Sequence, residues 1–232
     1  MKNTHLLALS IVGIVFLSNR ISAQDLSTYR DFHVGMSLAA VATQAAIAPE
    51  PLVLQKRPAL IQELTWQPQL GLRSTGGDSV KKIQFGFYNG QLFRLVVTYD
   101  RDRTEGLTAE DMIAAISATY GLPLLPTTQL MPSAVAGVPG SQSLNDDDKV
   151  LASWGDSEHA IDLFQSPYQK VFGLVVRSKP IDVLAHSSMV EGARLDAEEA
   201  PQREIDRQQK ATEDKRIRSE AARESNKQTF RP

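Results

Sequence analysis

The chain has 232 residues, 42% hydrophobic, 22% charged and 6% aromatic, with 25 Lys+Arg against 27 Asp+Glu and no cysteine. This is a globular composition, and its near-balanced charge gives no global electrostatic reason to bind nucleic acid. Without cysteine there is no disulfide scaffold, thiolate metal site, cysteine nucleophile or lipid-modified N-terminal cysteine.

Lys2 is followed by an apolar run from Leu6 to Leu17, broken only by Ser10 and Gly13, and Ile21-Ser22-Ala23 offers a small residue at a cleavage point. This is the layout of a secretory signal peptide over residues 1–23, cut near Ala23. A helix of about twelve residues covers roughly 18 Å, well short of the ~30 Å hydrocarbon core. The expected product is periplasmic or secreted, of bacterial type, with no transmembrane span after signal removal. An uncleaved anchor is the competing reading, because Arg20 stands close to the cleavage point.

Two similar stretches follow, 24–103 and 104–190. Each opens with glycine, an apolar residue and a hydroxyl residue, Gly35-Met36-Ser37 and Gly106-Leu107-Thr108. Ser37 and Thr108 suit helix N-caps, with Met36/Val41 and Leu107/Met112 placed as hydrophobic staples. Thr108-Ala109-Glu110-Asp111 reads as a capping box with Asp in the usual Glu position. The predicted helices run from Leu38 to Ile47, stopped before Pro49, and from Ala109 to Tyr120, stopped by Gly121 and Pro123.

Strand-like sequence follows each helix. Leu60 to Trp66 places Leu60, Gln62, Leu64 and Trp66 on one face, and the runs around Ile83-Phe85-Phe87 and Phe93-Leu95-Val97-Tyr99 form a hairpin across Asn89-Gly90. A two-residue turn would pair Phe87 with Leu92 and Phe85 with Arg94, setting the apolar faces on opposite sides. A three-residue turn, Tyr88 to Gly90, is therefore expected, pairing Phe85 with Phe93 and Ile83 with Leu95. The second stretch offers Val150–Trp154, Ala160–Gln165 and Tyr168–Arg177. At an offset of 79 residues Phe85 falls on Phe164, Phe93 on Phe172 and Leu95-Val96-Val97 on Leu174-Val175-Val176, while Trp66 and Trp154 each close a first strand. The pattern predicts an α+β fold of two tandem helix-plus-three-stranded antiparallel units. One mixed sheet with unrelated halves is the alternative.

A Pro/Gly-rich insertion, 121–148, interrupts the second unit and ends in Asp146-Asp147-Asp148. From 191 to 232 the chain carries ten basic and ten acidic residues and almost no large apolar ones. Acid-first i,i+4 pairs such as Glu199/Arg203, Asp206/Lys210 and Asp214/Arg218 favour a solvated helix, whereas Ile205 and Ile217 do not sustain a heptad seam. A charged C-terminal helix or partly disordered tail is expected.

Catalytic signatures are missing. His33, His159 and His186 are far apart in sequence, with no HExxH spacing, Gly-x-Ser-x-Gly elbow or phosphate loop. The aspartate run lacks the spaced ligands of a calcium loop. No catalytic, cofactor-binding or metal-ligating residue is therefore assigned. Trp66 and Trp154 read as core. Tyr88 and Tyr168, at hairpin turns, and Asp100, Arg101, Asp102 and Arg103, after a strand, are the candidate interaction surface.

Phe32 to Val41, followed by a Trp-ending strand and a hairpin, resembles the opening of SmpA/OmlA-type domains and the related repeats of β-lactamase inhibitory proteins. The resemblance covers residues 30–100 and, more faintly, 104–178. It implies helices on one face of a small antiparallel sheet and a protein-binding role. The chain departs from the outer-membrane assembly members in lacking an anchoring cysteine, and Ala48-Pro49-Glu50-Pro51 replaces their Gly-Pro stretch. The expected function is a non-enzymatic protein-binding or envelope-associated module whose partner is another envelope or secreted protein reached through the tail. The alternatives are a hydrolase using a carboxylate and a histidine between the units, and a structural envelope protein.

Overall fold

A computed structural model describes residues 25–68, 78–124, 148–166, 170–229 and 231. Two short strands, β1 (Thr28–Tyr29) and β2 (Phe32–His33), form a hairpin that leads into helix α1 (Leu38–Ala45). Then come β3 (Leu52–Gln55), β4 (Ile61–Trp66), β5 (Val80–Tyr88), β6 (Gln91–Tyr99), the short helix α2 (Arg101–Thr104), α3 (Ala109–Tyr120), β7 (Lys149–Gly155), β8 (His159–Ser166) and β9 (Val171–Ser178). Helix α4 spans Lys179–Thr229. β3 to β9 make one antiparallel sheet in the order β3-β4-β5-β6-β9-β8-β7. The chain is thus α+β, and both sequence stretches contribute to one continuous sheet.

The helix starts follow the local chemistry. Ser37 Oγ accepts from Ala40 N at 3.2 Å, and Thr108 and Asp111 exchange the two bonds of a full capping box. Gly35 (φ +94°) and Gly106 (φ +81°) precede them in the left-handed region that side-chain-bearing residues avoid, which accounts for the recurring glycine in the two triplets. Gly35 N donates to Leu92 O and Leu92 N donates to Met36 O, so the entry to α1 is fixed on the start of β6.

The hairpin register differs from the expected one. Asn89 and Gly90 form a two-residue turn with φ of +49° and +82°, pairing Tyr88 with Gln91 and Phe87 with Leu92. The extra residue sits higher up: Gly86 pairs with Arg94, and Phe93 is bulged out of the ladder. The bulge restores the phase, so Phe85 meets Leu95 and Ile83 meets Val97 on one buried face. The turn keeps the left-handed pair suited to Asn-Gly, and the irregularity is absorbed where Gly86 leaves room for the Phe93 ring.

One face of the sheet carries the main core. Leu64, Ile83, Phe85, Leu95, Val97, Trp154, Ile161, Leu163, Leu174 and Val176 are buried there with Val41 and Ala45 of α1 and Met112 and Ile116 of α3. Each such large side chain stabilises the fold by about 1.5–3 kcal/mol on burial. Trp154 Nε1 donates to Gly121 O at 2.8 Å, tying the end of α3 to β7. Trp66 is partly buried against the same core, stacked edge-on to Phe32 with ring centroids 5.5 Å apart.

A second, smaller cluster lies on the opposite face, made by Ala59, Ile61, Phe93, Ala185 and Met189. It exists because α4 begins directly at the end of β9, at Lys179 rather than at Glu191, and folds back over the sheet. Apolar residues at 181, 185 and 189 are spaced to meet a surface on one helical face. The residues 191–229 expected to be charged and helical continue that helix, and most are exposed.

Candidate interaction surface

The start of α4 and the sheet face it covers bring several charged side chains together. Arg94 on β6 and Arg177 on β9 are cross-strand partners, both half-buried. Arg177 Nη2 lies 3.0 Å from Asp162 Oδ2, and its Nε lies 4.0 Å from Asp182 Oδ2 on α4. Asp162 also accepts from Ser153 Oγ at 2.6 Å. Arg94 rests over the Phe93 ring at 5.6 Å and, among the described residues, has no ion pair within 4.0 Å. Burial pushes its guanidinium down from the ordinary arginine range; Asp182 and Glu63 oppose that shift and Arg177 adds to it. A narrow cleft beside Arg94 is lined by Leu54, Ile61, Glu63, Phe93 and Met189, and Glu63 accepts from Gln84 Nε2 at 3.0 Å.

Further along, α4 passes close to the loop between β3 and β4. A Cβ on Gly192 would come within 2.4 Å of Gln55 Oε1 and 2.9 Å of Arg57 O, so only glycine allows this approach. Gln55 Nε2 donates to Ser188 O at 2.9 Å, and Arg57 pairs with Glu199 and lies 3.6 Å from Asp196. Pro201 then removes one helical N–H donor. From Gln202 to Thr229 every residue is exposed except the half-exposed Asp214, and the ion pairs of this half lie along the helix itself. A 51-residue helix is about 76 Å long at 1.5 Å per residue, so about half of it stands clear of the sheet.

The residues singled out from sequence are dispersed. Tyr88 is half-buried beside the second cluster, on the sheet face that α4 covers. Tyr168 lies outside the described residues, as do Asp146 and Asp147 and the residues 1–23 assigned to a signal peptide. Asp100, Arg101, Asp102 and Arg103 open the short helix α2: Asp100 is its N-cap, accepting from Asp102 N at 2.9 Å and Arg103 N at 3.3 Å, and the other three side chains are exposed. α2 follows β6 and packs against β9.

The three histidines are not gathered. His33 on β2 and His186 on α4 are exposed, and His159 Nδ1 lies 3.7 Å from the exposed carboxylate of Asp156, beyond hydrogen-bond reach. Among the described residues no group of three His, Asp or Glu side chains is placed to hold a metal ion, and no helix is long and apolar enough to cross a membrane.

The surface missed in sequence is the docked first half of α4 with Arg94, Arg177, Asp162 and Asp182. The available signal was Ile181-Ala185-Met189 spacing after an apolar strand, which continues a helical face without a turn residue between. Comparison of the chain with family models, with curated proteins and with solved structures gives no match in any of the three.

Proposed function

We propose that the chain is a non-enzymatic, exported binding module, active in the periplasm or outside the cell after removal of residues 1–23, that presents α4 to a protein of the envelope or its surroundings. The observation that carries this is the division of α4. Its first half is fixed to the body by Met189, Gly192 and the Arg57–Glu199 pair, and its second half, from Gln202 to Thr229, is exposed apart from the half-exposed Asp214. A solvated helix held by a rigid base loses little conformational entropy on binding, which favours recognition.

Two further points support the reading. The resemblance of residues 30–100 to SmpA/OmlA-type and β-lactamase-inhibitory repeats fits a sheet with α1 and α3 on one face. An internal duplication fits as well: Trp66 pairs with Ile83 and Trp154 with Ile161, while Val96 pairs with Val175, its own counterpart at the 79-residue offset. In the strands before these, the offset is 78, because Ile83–Val97 matches Ile161–Val176 and Phe85–Leu95 matches Leu163–Leu174.

The test is capture from envelope extracts with the full chain and with a chain ending at Pro201. A partner retained by the first and lost by the second is expected. Retention of nothing by either removes the binding reading and leaves a structural role in the envelope.

A further inference from the structure

The back of α4, turned away from the sheet, carries an ordered series of charges. Ala185, Met189 and Gly192 define the docked side. At 100° per residue, Glu191, Arg194, Glu198, Ile205, Arg216, Glu220 and Arg223 all fall on the opposite side. Arg194 bridges Glu191 and Glu198, and twenty-two residues later Arg216 bridges Glu213 and Glu220 in the same way. The two halves of the helix also differ in sign. Lys179–Pro201 holds two basic and five acidic residues, and Gln202–Thr229 holds eight basic and six acidic ones.

We infer that this back face pairs with the same face of a second copy, antiparallel, about a two-fold axis at residue 207. The inference rests on the reading of α4 as the binding element and adds a second copy of this chain to what it binds. In this register Glu191 stands opposite Arg223 of the second copy, Arg194 opposite Glu220 and Glu198 opposite Arg216, and the two-fold repeats each pair. The triads of the two chains join into a continuous ladder of alternating sign. Ile205, 47% exposed in the single chain, meets Gln209 and lies diagonally across the axis from its own copy.

The register is specified by repulsion as well as attraction. A slide of three residues one way opposes Glu191 to Glu220, and three the other way opposes Arg194 to Arg223. A slide of four opposes Arg194 to Arg216, or Glu198 to Glu220. Every one-turn error therefore sets like charges together, which is how charged helices choose an alignment. The acidic half that is docked on the sheet receives the basic half that projects, so the bodies sit at opposite ends of the pair. One exposed ion pair contributes little, and a coupled ladder contributes more than its members taken singly.

The test is sedimentation equilibrium of the full chain over a concentration series at low salt, with E198R, R216E and the double variant E198R/R216E. A reversible dimer that weakens as salt rises is expected. Each single reversal should raise its dissociation constant roughly tenfold. The double variant should regain the parental constant. Residues 198 and 216 are about 27 Å apart along one helix, so recovery reports contact between chains. A parent chain that stays monomeric at every concentration overturns the inference, as does a dimer indifferent to both single reversals or not rescued by the double one. A monomer that still captures an envelope protein through the tail overturns the self-pairing alone and leaves the proposed function standing.

Discussion

Arg94 and Arg177 face each other across β6 and β9, and only the second of them has an ion-pair partner among the described residues. Two adjacent guanidinium groups on a half-buried face repel, and the cost is met unequally: Arg177 is held by Asp162, whereas Arg94 is desolvated over Phe93. Arg94→Met keeps the stem packing and removes a poorly solvated charge, so its thermal midpoint should equal or exceed that of the parent. Arg177→Met leaves Asp162 buried without its cation and should cost about 2 to 4 kcal/mol by denaturant titration. Equal destabilisation by both substitutions would contradict this division.

The docking of α4 depends on the absent side chain at 192. Gly192→Ala forces its Cβ against Gln55 and the Arg57 carbonyl, and the backbone partner cannot rotate away. The expected cost is about 1–3 kcal/mol, as for other overpacked contacts. Hydrogen exchange should then quicken at Lys179–Gly192 while the main core keeps its protection. Pro201→Ala serves as the contrast. It restores a helical donor beyond the docked half and should raise helical circular dichroism without moving the midpoint of the body.

The hydrophobic alternation and cap residues made α1, α3 and the six longer sheet strands legible in the sequence, because those features act within a few residues. β3 was missed: Leu52 and Val53 sit at the sheet edge, mostly exposed, and show no alternation. The hairpin register was misread because its bulge at Phe93 depends on space above Gly86, a relation between strands. The same holds for Phe164, aligned in sequence with Phe85. Phe85 points into the main core opposite Leu95, but Phe164 pairs with Gly173 and lies across it on the other face. At the candidate surface, the charge pattern of the tail was visible locally. Its anchoring was not, since Gln55, Arg57 and Gly192 meet only in three dimensions.

Gly173 supplies a direct check on that arrangement. A Cβ there would stand 2.1 Å from Phe164 Cζ and 2.8 Å from Val97 O. Gly173→Ala should therefore lower stability by about 1–3 kcal/mol or more, measured by thermal unfolding. Adding Phe164→Leu removes the ring contact and should recover part of that loss, while the clash with Val97 O persists. A double variant no more stable than Gly173→Ala alone would place the strain elsewhere.

Acid should loosen the N-terminal hairpin before the sheet. Asp25 accepts from Ser27 Oγ at 2.5 Å, Thr28 Oγ1 at 2.7 Å and Ser27 N at 2.9 Å, and these bonds hold its carboxyl down at about 2. Arg30 grips Asp78 through two bonds, at 2.8 and 2.9 Å, and keeps that carboxyl below its usual range too. Both groups have folded values below those of the unfolded chain, near 3.9 for Asp. Their stabilisation is therefore complete above about pH 5 and is lost as pH falls through their lowered values, which for Asp25 means towards about 2. Tyr120 Oη donates to Thr28 O at 2.8 Å, and Tyr29 is buried in the main core, so ring signals of these tyrosines report the hairpin. In a titration from pH 6 to pH 2, followed by the NMR signals of Tyr29 and Tyr120, the parent should change in that window. The double variant Asp25→Asn/Asp78→Asn should be less stable at pH 7 and much flatter below pH 4. An unchanged acid limb in the double variant would assign the sensitivity to other carboxylates.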